Sequence, residues 1–235
     1  MKKLIQAILI SSIGFAGVSQ AALIDFTGGT VTENDNVTTH VTDNTTSFQN
    51  VLMYVQDGFK VEFMFDGAPS GFASIVGDYY VTGNDVSHWH WADGGFGEVT
   101  AVIISKVDNS TFDLGGFQVT TNTANGGTVS DGFENVVVNS SKLDNIFKVD
   151  SDDWGLGNGT DPLITIDPMN DLFKDITWFS FTNAADSSSV GMGLDNIFLD
   201  EPGDGNGIDP TDVSSPAIIG LLFLGFIGLF FRRKS

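Results

Sequence analysis

Phe59, Val61, Phe63 and Phe65 alternate with Lys60, Glu62, Met64 and Asp66, and an Asp-Gly pair stands at each end of the run. Alternation with period two puts one set of side chains on each face of an extended chain. The segment therefore reads as a half-buried β-strand closed by tight turns. Similar runs recur at Glu98 to Ser105, Thr111 to Thr120, Phe133 to Asn139, Ile176 to Thr182 and Gly193 to Asp200. Turn residues fall about every 8–12 positions, and further Asp-Gly pairs at 93–94 and 131–132 punctuate the series. Gly115-Gly116 inside one run predicts a bulge or sharp bend. Of the 30 acids 25 are Asp and 5 are Glu, which favours turns over helix interiors. Away from the two ends no window carries the period of an amphipathic helix. Residues 22–200 are thus expected to form an all-β domain, a jelly-roll-like β-sandwich of eight or more strands.

Charge is distributed unevenly along the 235 residues. Lys2 and Lys3 open the chain and Arg232, Arg233 and Lys234 nearly close it. All 30 carboxylates lie between them, opposed only by Lys60, Lys106, Lys142, Lys148 and Lys174, a net of −25 where the whole chain carries −20. Such a surface repels nucleic acid and anionic lipid, so neither is expected as a partner. A hydrophobic content of 41% separates the chain from disordered acidic segments.

The ends read as addresses. Lys2-Lys3, an apolar run from Leu4 to Val18 and Ser19-Gln20-Ala21 have the three parts of a secretory signal, with cleavage expected after Ala21 or Ala22. At the other end Val213-Ser214-Ser215-Pro216 leads into an apolar segment at 217–231 and then Arg232-Arg233-Lys234. Fifteen residues make about 22 Å of helix, short for a bilayer core of about 30 Å unless flanking residues snorkel. The basic cluster acts as a membrane stop on the cytoplasmic side. Residues 201–212 read as an acidic Gly/Pro linker.

A short polar motif with Pro, a brief apolar helix and a terminal Arg cluster resemble a PEP-CTERM sorting signal over residues 213–235. Val213-Ser214-Ser215-Pro216 stands where many members carry Val-Pro-Glu-Pro. The resemblance implies an exosortase-like membrane protease as partner, an inner-membrane-anchored precursor and a product at the cell surface or outside it. A plain, unprocessed tail anchor is the alternative.

Leu143-Asp144-Asn145-Ile146-Phe147 recurs as Leu194-Asp195-Asn196-Ile197-Phe198. The stretch from Thr111 to Asp200, closing on Gly-Leu-Asp-Asn-Ile, resembles the body of many PEP-CTERM proteins and carbohydrate-binding modules of galactose-binding-like shape. In those modules an Asp of the last strand helps hold a structural calcium with ligands near the first strand. The matching positions here are Asp195 and Asp25; the alternative is an Asp that fixes a turn through its own backbone. Asp150, Asp152 and Asp153 also suit a hard cation. Asp204 to Asp212 looks like an EF-hand loop but is one residue short in register.

His88-Trp89-His90-Trp91 admits three readings. On a strand both His point one way and both Trp the other. The His pair suits a metal but lacks a third ligand at the usual spacing. Trp89 and Trp91 could present flat rings to a sugar, or simply fill the core. No nucleophile elbow, zinc-protease helix or phosphate loop occurs, so no enzymatic activity is expected. The chain is expected to be an exported, non-catalytic surface or matrix protein that associates with exopolysaccharide. The alternatives are a purely structural, cation-binding envelope protein and a divergent glycan hydrolase.

Overall fold

The computed structural model describes residues 21–34, 38–40, 45–70, 72–78, 82–92, 97–121, 136–149, 163–184 and 191–200. The chain divides into compact units 1–203 and 204–235. The second unit, holding most of the linker and the whole sorting segment at 213–235, lies outside the described residues, as does the signal up to residue 20. The same holds for Asp150, Asp152 and Asp153 and for the Asp-Gly pairs at 93–94 and 131–132.

The described residues form an antiparallel all-β fold. In chain order the strands are β1 (Ala22–Ile24), β2 (Thr30–Glu33), β3 (Thr38–His40), β4 (Phe48–Gln56), β5 (Phe59–Phe65), β6 (Ala68–Pro69), β7 (Ala73–Val76) and β8 (Val86–His90). Then come β9 (Ala101–Lys106), β10 (Leu114–Thr121), β11 (Val136–Ser140), β12 (Leu143–Val149), β13 (Leu163–Thr165), β14 (Trp178–Asn183) and β15 (Gly191–Leu199). One turn of 3-10 helix, Asp171–Phe173, precedes β14.

Hydrogen bonding runs continuously in the order β12-β11-β14-β9-β5-β4-β7-β8-β15-β10-β13. A path this long cannot stay flat, because strand twist accumulates. It curls until its two halves face one another. Phe117 on β10 meets Phe181 on β14 with ring centroids 4.9 Å apart, although six strands lie between them on the path. Phe63 on β5 likewise meets Trp89 on β8 at 5.9 Å.

The change of direction occurs in β4. Val51 pairs with Glu33 of β2 on one side and Ala73 of β7 on the other. Beyond it, residues 53–56 pair with β5 along the edge that β7 used. A register shift between Gln49 and Val51 accompanies a positive φ of 59° at Asn50. Strands that pass from one layer to the next commonly do so through such bulges.

Turn chemistry follows the sequence closely. Asp57-Gly58 and Asp66-Gly67 are both two-residue hairpin loops, closed by the pairs Gln56↔Phe59 and Phe65↔Ala68, with φ positive at all four residues. That is the geometry for which Asp-Gly is favoured. The bulge expected at Gly115 is present, where β10 shifts register against β15 between Leu114 and Gly116.

Candidate functional site

Nine non-glycine residues among those described have a positive φ, and eight of them are Asp or Asn. The exception is Phe26, at 58°. A bulky side chain in the left-handed region costs about 1–3 kcal/mol and points to a segment held by its surroundings. Phe26 sits in the connection from β1 to β2, where Gly28 and Gly29 are also left-handed. Gly29 is required twice over: its φ is 82°, and a Cβ there would stand 2.5 Å from the Val55 carbonyl oxygen.

Several partners hold the connection. The Phe26 ring is buried against Tyr54, centroids 5.3 Å apart. The Thr27 backbone N–H donates to Asp25 Oδ1 at 2.9 Å, an Asx turn. Gln56 Nε2 donates to Asp25 Oδ1 at 2.7 Å and to the Thr27 carbonyl at 3.1 Å. The Tyr54 hydroxyl lies 2.9 Å from both the Gly28 carbonyl and Gln56 Oε1, one proton between two acceptors. Thr27 Oγ1 donates to Asp85 Oδ2 at 3.0 Å, and the Asp78 backbone N–H to Asp85 Oδ1 at 3.1 Å.

Electrostatically this corner is crowded with negative charge. Burial raises the Asp85 carboxyl above its usual range, with Asp25 and Asp78 adding repulsion and the hydrogen bonds from Asp78 and Thr27 pulling the other way. Asp57, at the neighbouring hairpin, is raised by burial and by Asp25. Tyr54 is pushed above the phenol range by burial first, then by Asp25, Asp85 and Asp57, so its hydroxyl stays a donor at physiological pH. The ion pairs Lys60–Glu62 and Lys106–Asp200 involve none of these acids.

Asp25 therefore sits in an oxygen-rich cluster. Asp195 comes to the same region of the sheet by register. The β1–β15 ladder ends at Ile24↔Ile197, one residue before Asp25 and two residues past Asp195. Asp195 is 4% exposed. Among the described residues no three acid or histidine side chains are gathered closely enough to hold a metal by themselves. A cation here would have to draw on neutral oxygens as well.

The tryptophans need a correction. Trp89 and Trp91 are 1% and 0% exposed and pack edge to face, ring centroids 5.6 Å apart, inside the main core. A ring enclosed on both faces offers nothing to a sugar, so the glycan platform expected there is a piece of the core instead. His88 and His90 lie half-buried on the other face of β8, as strand alternation requires. Ala21 and Ala22 lie at the head of β1, where Ala22 is buried and pairs with Leu199. Signal cleavage after Ala21 would leave β1 entire, whereas cleavage after Ala22 would remove its first rung.

Sequence reasoning missed Asp57, Asp85, Tyr54 and Gln56 as neighbours of Asp25. The alternation of β4, with Tyr54 inward and the Asp-Gly loop next to it, was the available signal. Compared with known proteins, the chain matches no family model and no curated sequence.

Proposed function

We propose that the chain is an exported, non-catalytic protein of the cell surface or extracellular matrix, sorted by an exosortase-like system and associating there with exopolysaccharide. Its body is a jelly-roll-like sandwich whose amino-terminal corner is held by calcium. The observation that carries this reading is the strained turn at Asp25, rich in neutral oxygens, linked through Thr27 to Asp85 and within electrostatic reach of Asp57. The Asp57 and Asp85 carboxyls, which burial first and the nearby Asp25 charge second drive toward protonation, are relieved by a hard cation, and Thr27, Gly28 and Gln56 supply the carbonyl and hydroxyl oxygens that calcium takes alongside them. The −25 body between basic ends supports export and a cationic partner.

A second reading, a purely structural acidic envelope protein, is favoured by the burial of Trp89 and Trp91, which removes the expected sugar platform. One experiment separates the two. The full chain is melted with calcium, magnesium or chelator, and its retention by polysaccharides is measured in each condition. Calcium-specific stabilisation together with polysaccharide retention supports the first reading. Stabilisation alone selects the second. No calcium effect on melting removes the cation site from both.

The pH dependence has a definite sign. A carboxyl raised in the folded state contributes stability below its ordinary range and loses that contribution as pH climbs through the raised value. Without calcium, Asp57 and Asp85 therefore favour the folded chain more at acid pH than at neutral pH. A bound cation needs the ionised forms, so the calcium increment in Tm should be larger near pH 7.5 than near pH 4. An increment that grows on acidification would contradict the assignment.

A further inference from the structure

The geometry points to a second, unrelated site: a cleft at the Gly115 bulge that takes one neutral pyranose ring of a polysaccharide. The inference rests on the polysaccharide association proposed above and gives it a location. The cleft has a volume of ≈ 160 Å³ and is open to solvent. That is close to the roughly 150 Å³ of an engineered cavity that accommodates one benzene, so a single six-membered ring fits.

Its walls are fixed from within. The Ile166 N–H donates to the Gly115 carbonyl at 2.9 Å, tying the 166–170 segment to the bulge. Asp200 Oδ1 accepts from the Asp113 N–H at 2.9 Å and Oδ2 from Lys106 Nζ at 2.7 Å. Asp113 Oδ1 accepts from the Asp175 N–H, Asp167 Oδ1 from the Met169 N–H, and Asn170 Oδ1 from the Leu172 N–H. Preorganised walls lower the ordering cost of binding.

What these bonds leave over defines the ligand. Among the described residues, the second carboxylate oxygens of Asp113 and Asp167, the Asn170 amide N–H groups and the Lys174 ammonium carry no hydrogen bond, and all four residues line the cleft. Residues with two unused acceptors and two unused donors therefore line the cleft together with the apolar Leu114, Ile166, Pro168 and Phe173. A ring with an apolar C–H face and hydroxyls around its edge matches both, since each hydroxyl donates and accepts. Three carboxylates against Lys174 and the already paired Lys106 leave the lining net negative, which disfavours a uronate. Met169, between two lining residues in the chain, is 84% exposed and extends the apolar surface outward.

The test uses the full chain in a sugar-free zwitterionic detergent, with affinity electrophoresis through gels containing neutral polymers (dextran, pullulan, galactomannan) or alginate. At least one neutral polymer should retard the chain, and alginate should do so less. Asp167→Asn combined with Asn170→Asp keeps each internal bond through Oδ1 and inverts the outward donor and acceptor. It should weaken retardation at least tenfold while leaving Tm within a degree or two. Lys174→Met, which breaks no internal bond, should weaken it several-fold and serves if the double variant misfolds. Retardation unchanged in these variants overturns the cleft and leaves polysaccharide association standing. Stronger retardation by alginate overturns the neutral-ring assignment. No retardation by any polymer overturns the association, and the cleft with it.

Discussion

Leu-Asp-Asn-Ile-Phe occurs twice, and the two copies show what five residues can and cannot decide. At 143–147 the copy lies on β12, at one end of the strand path, with Leu143, Asp144 and Asn145 exposed. At 194–198 it lies on β15, flanked by β10 on one side and by β8 and β1 on the other, with all but Asn196 buried. Yet the local chemistry is shared. Asp195 and Asn196 together oppose the single residue Gln118, and Asp144 to Ile146 oppose the single residue Asn139. In both cases the lone partner is a carboxamide that bonds to the Asn. Asn196 Nδ2 donates to Gln118 Oε1, and the Asn145 backbone N–H donates to Asn139 Oδ1 at 2.8 Å. Asp-Asn makes a bulge wherever it stands in these strands; the order of strands decides whether that bulge is wet or dry.

Truncating the two leucines should give the largest difference. Leu194 is fully buried, so Leu194→Ala should cost about 2–5 kcal/mol by the removal of packed methyl groups and the cavity left behind. Leu143 is 49% exposed, and Leu143→Ala should fall within about 0.5 kcal/mol of the parent. Urea unfolding of both variants measures this directly. Equal losses would mean that β12 is covered in solution and that the contrast between the copies is false.

At the facing carboxamides the ranking should reverse. Asn139 is buried and, besides accepting from Asn145, sends its amide toward Ser180 Oγ and Thr182 Oγ1, each at 3.3 Å. Asn139→Ala strands those groups in a dry interior and should cost about 1–3 kcal/mol. Gln118 is half-buried, with water within reach of its surroundings, so Gln118→Ala should cost nearer 1 kcal/mol. Thermal melts that place Gln118 above Asn139 would show that the central bulge, not the peripheral one, depends on its polar partner.

The same contrast explains how much of the molecule was legible beforehand. The strand Phe59–Phe65 was readable to the residue because one face is buried and its Asp-Gly loops leave no freedom in register. The strand at 48–56 escaped notice because it serves two halves of the sheet, so its burial does not alternate cleanly around Asn50. His88-Trp89-His90-Trp91 gave the right faces and left their use open between sugar and core. Alternation places both tryptophans together, but whether that face meets solvent or another layer depends on β5 folding over β8. At the amino-terminal corner Asp25 was visible and its companions were not. Asp57 and Asp85 come from hairpins 32 and 60 residues further along, joined only through Thr27 and Gln56.

The smallest expected effect concerns the hydroxyl residue beside each leucine, and here the two copies should differ in sign. Ser140 pairs with Leu143; its Oγ donates to the Leu172 carbonyl at 2.7 Å and accepts from the Lys142 N–H at 3.2 Å. Ser140→Ala removes both and should destabilise by about 1 kcal/mol. Thr120 pairs with Gly193, next to Leu194, and its Oγ1 is buried with no hydrogen-bond partner. Thr120→Val replaces that oxygen with a methyl of similar shape and should stabilise by about 1 kcal/mol, since a desolvated hydroxyl that bonds to nothing only opposes folding. A destabilised Thr120→Val variant would mean that the hydroxyl has a partner in solution, such as a buried water. The dry environment ascribed to the second copy would then be wrong at a position where its strands pack closely, the Cβ site of Gly193 lying 2.5 Å from Thr120 Cγ2.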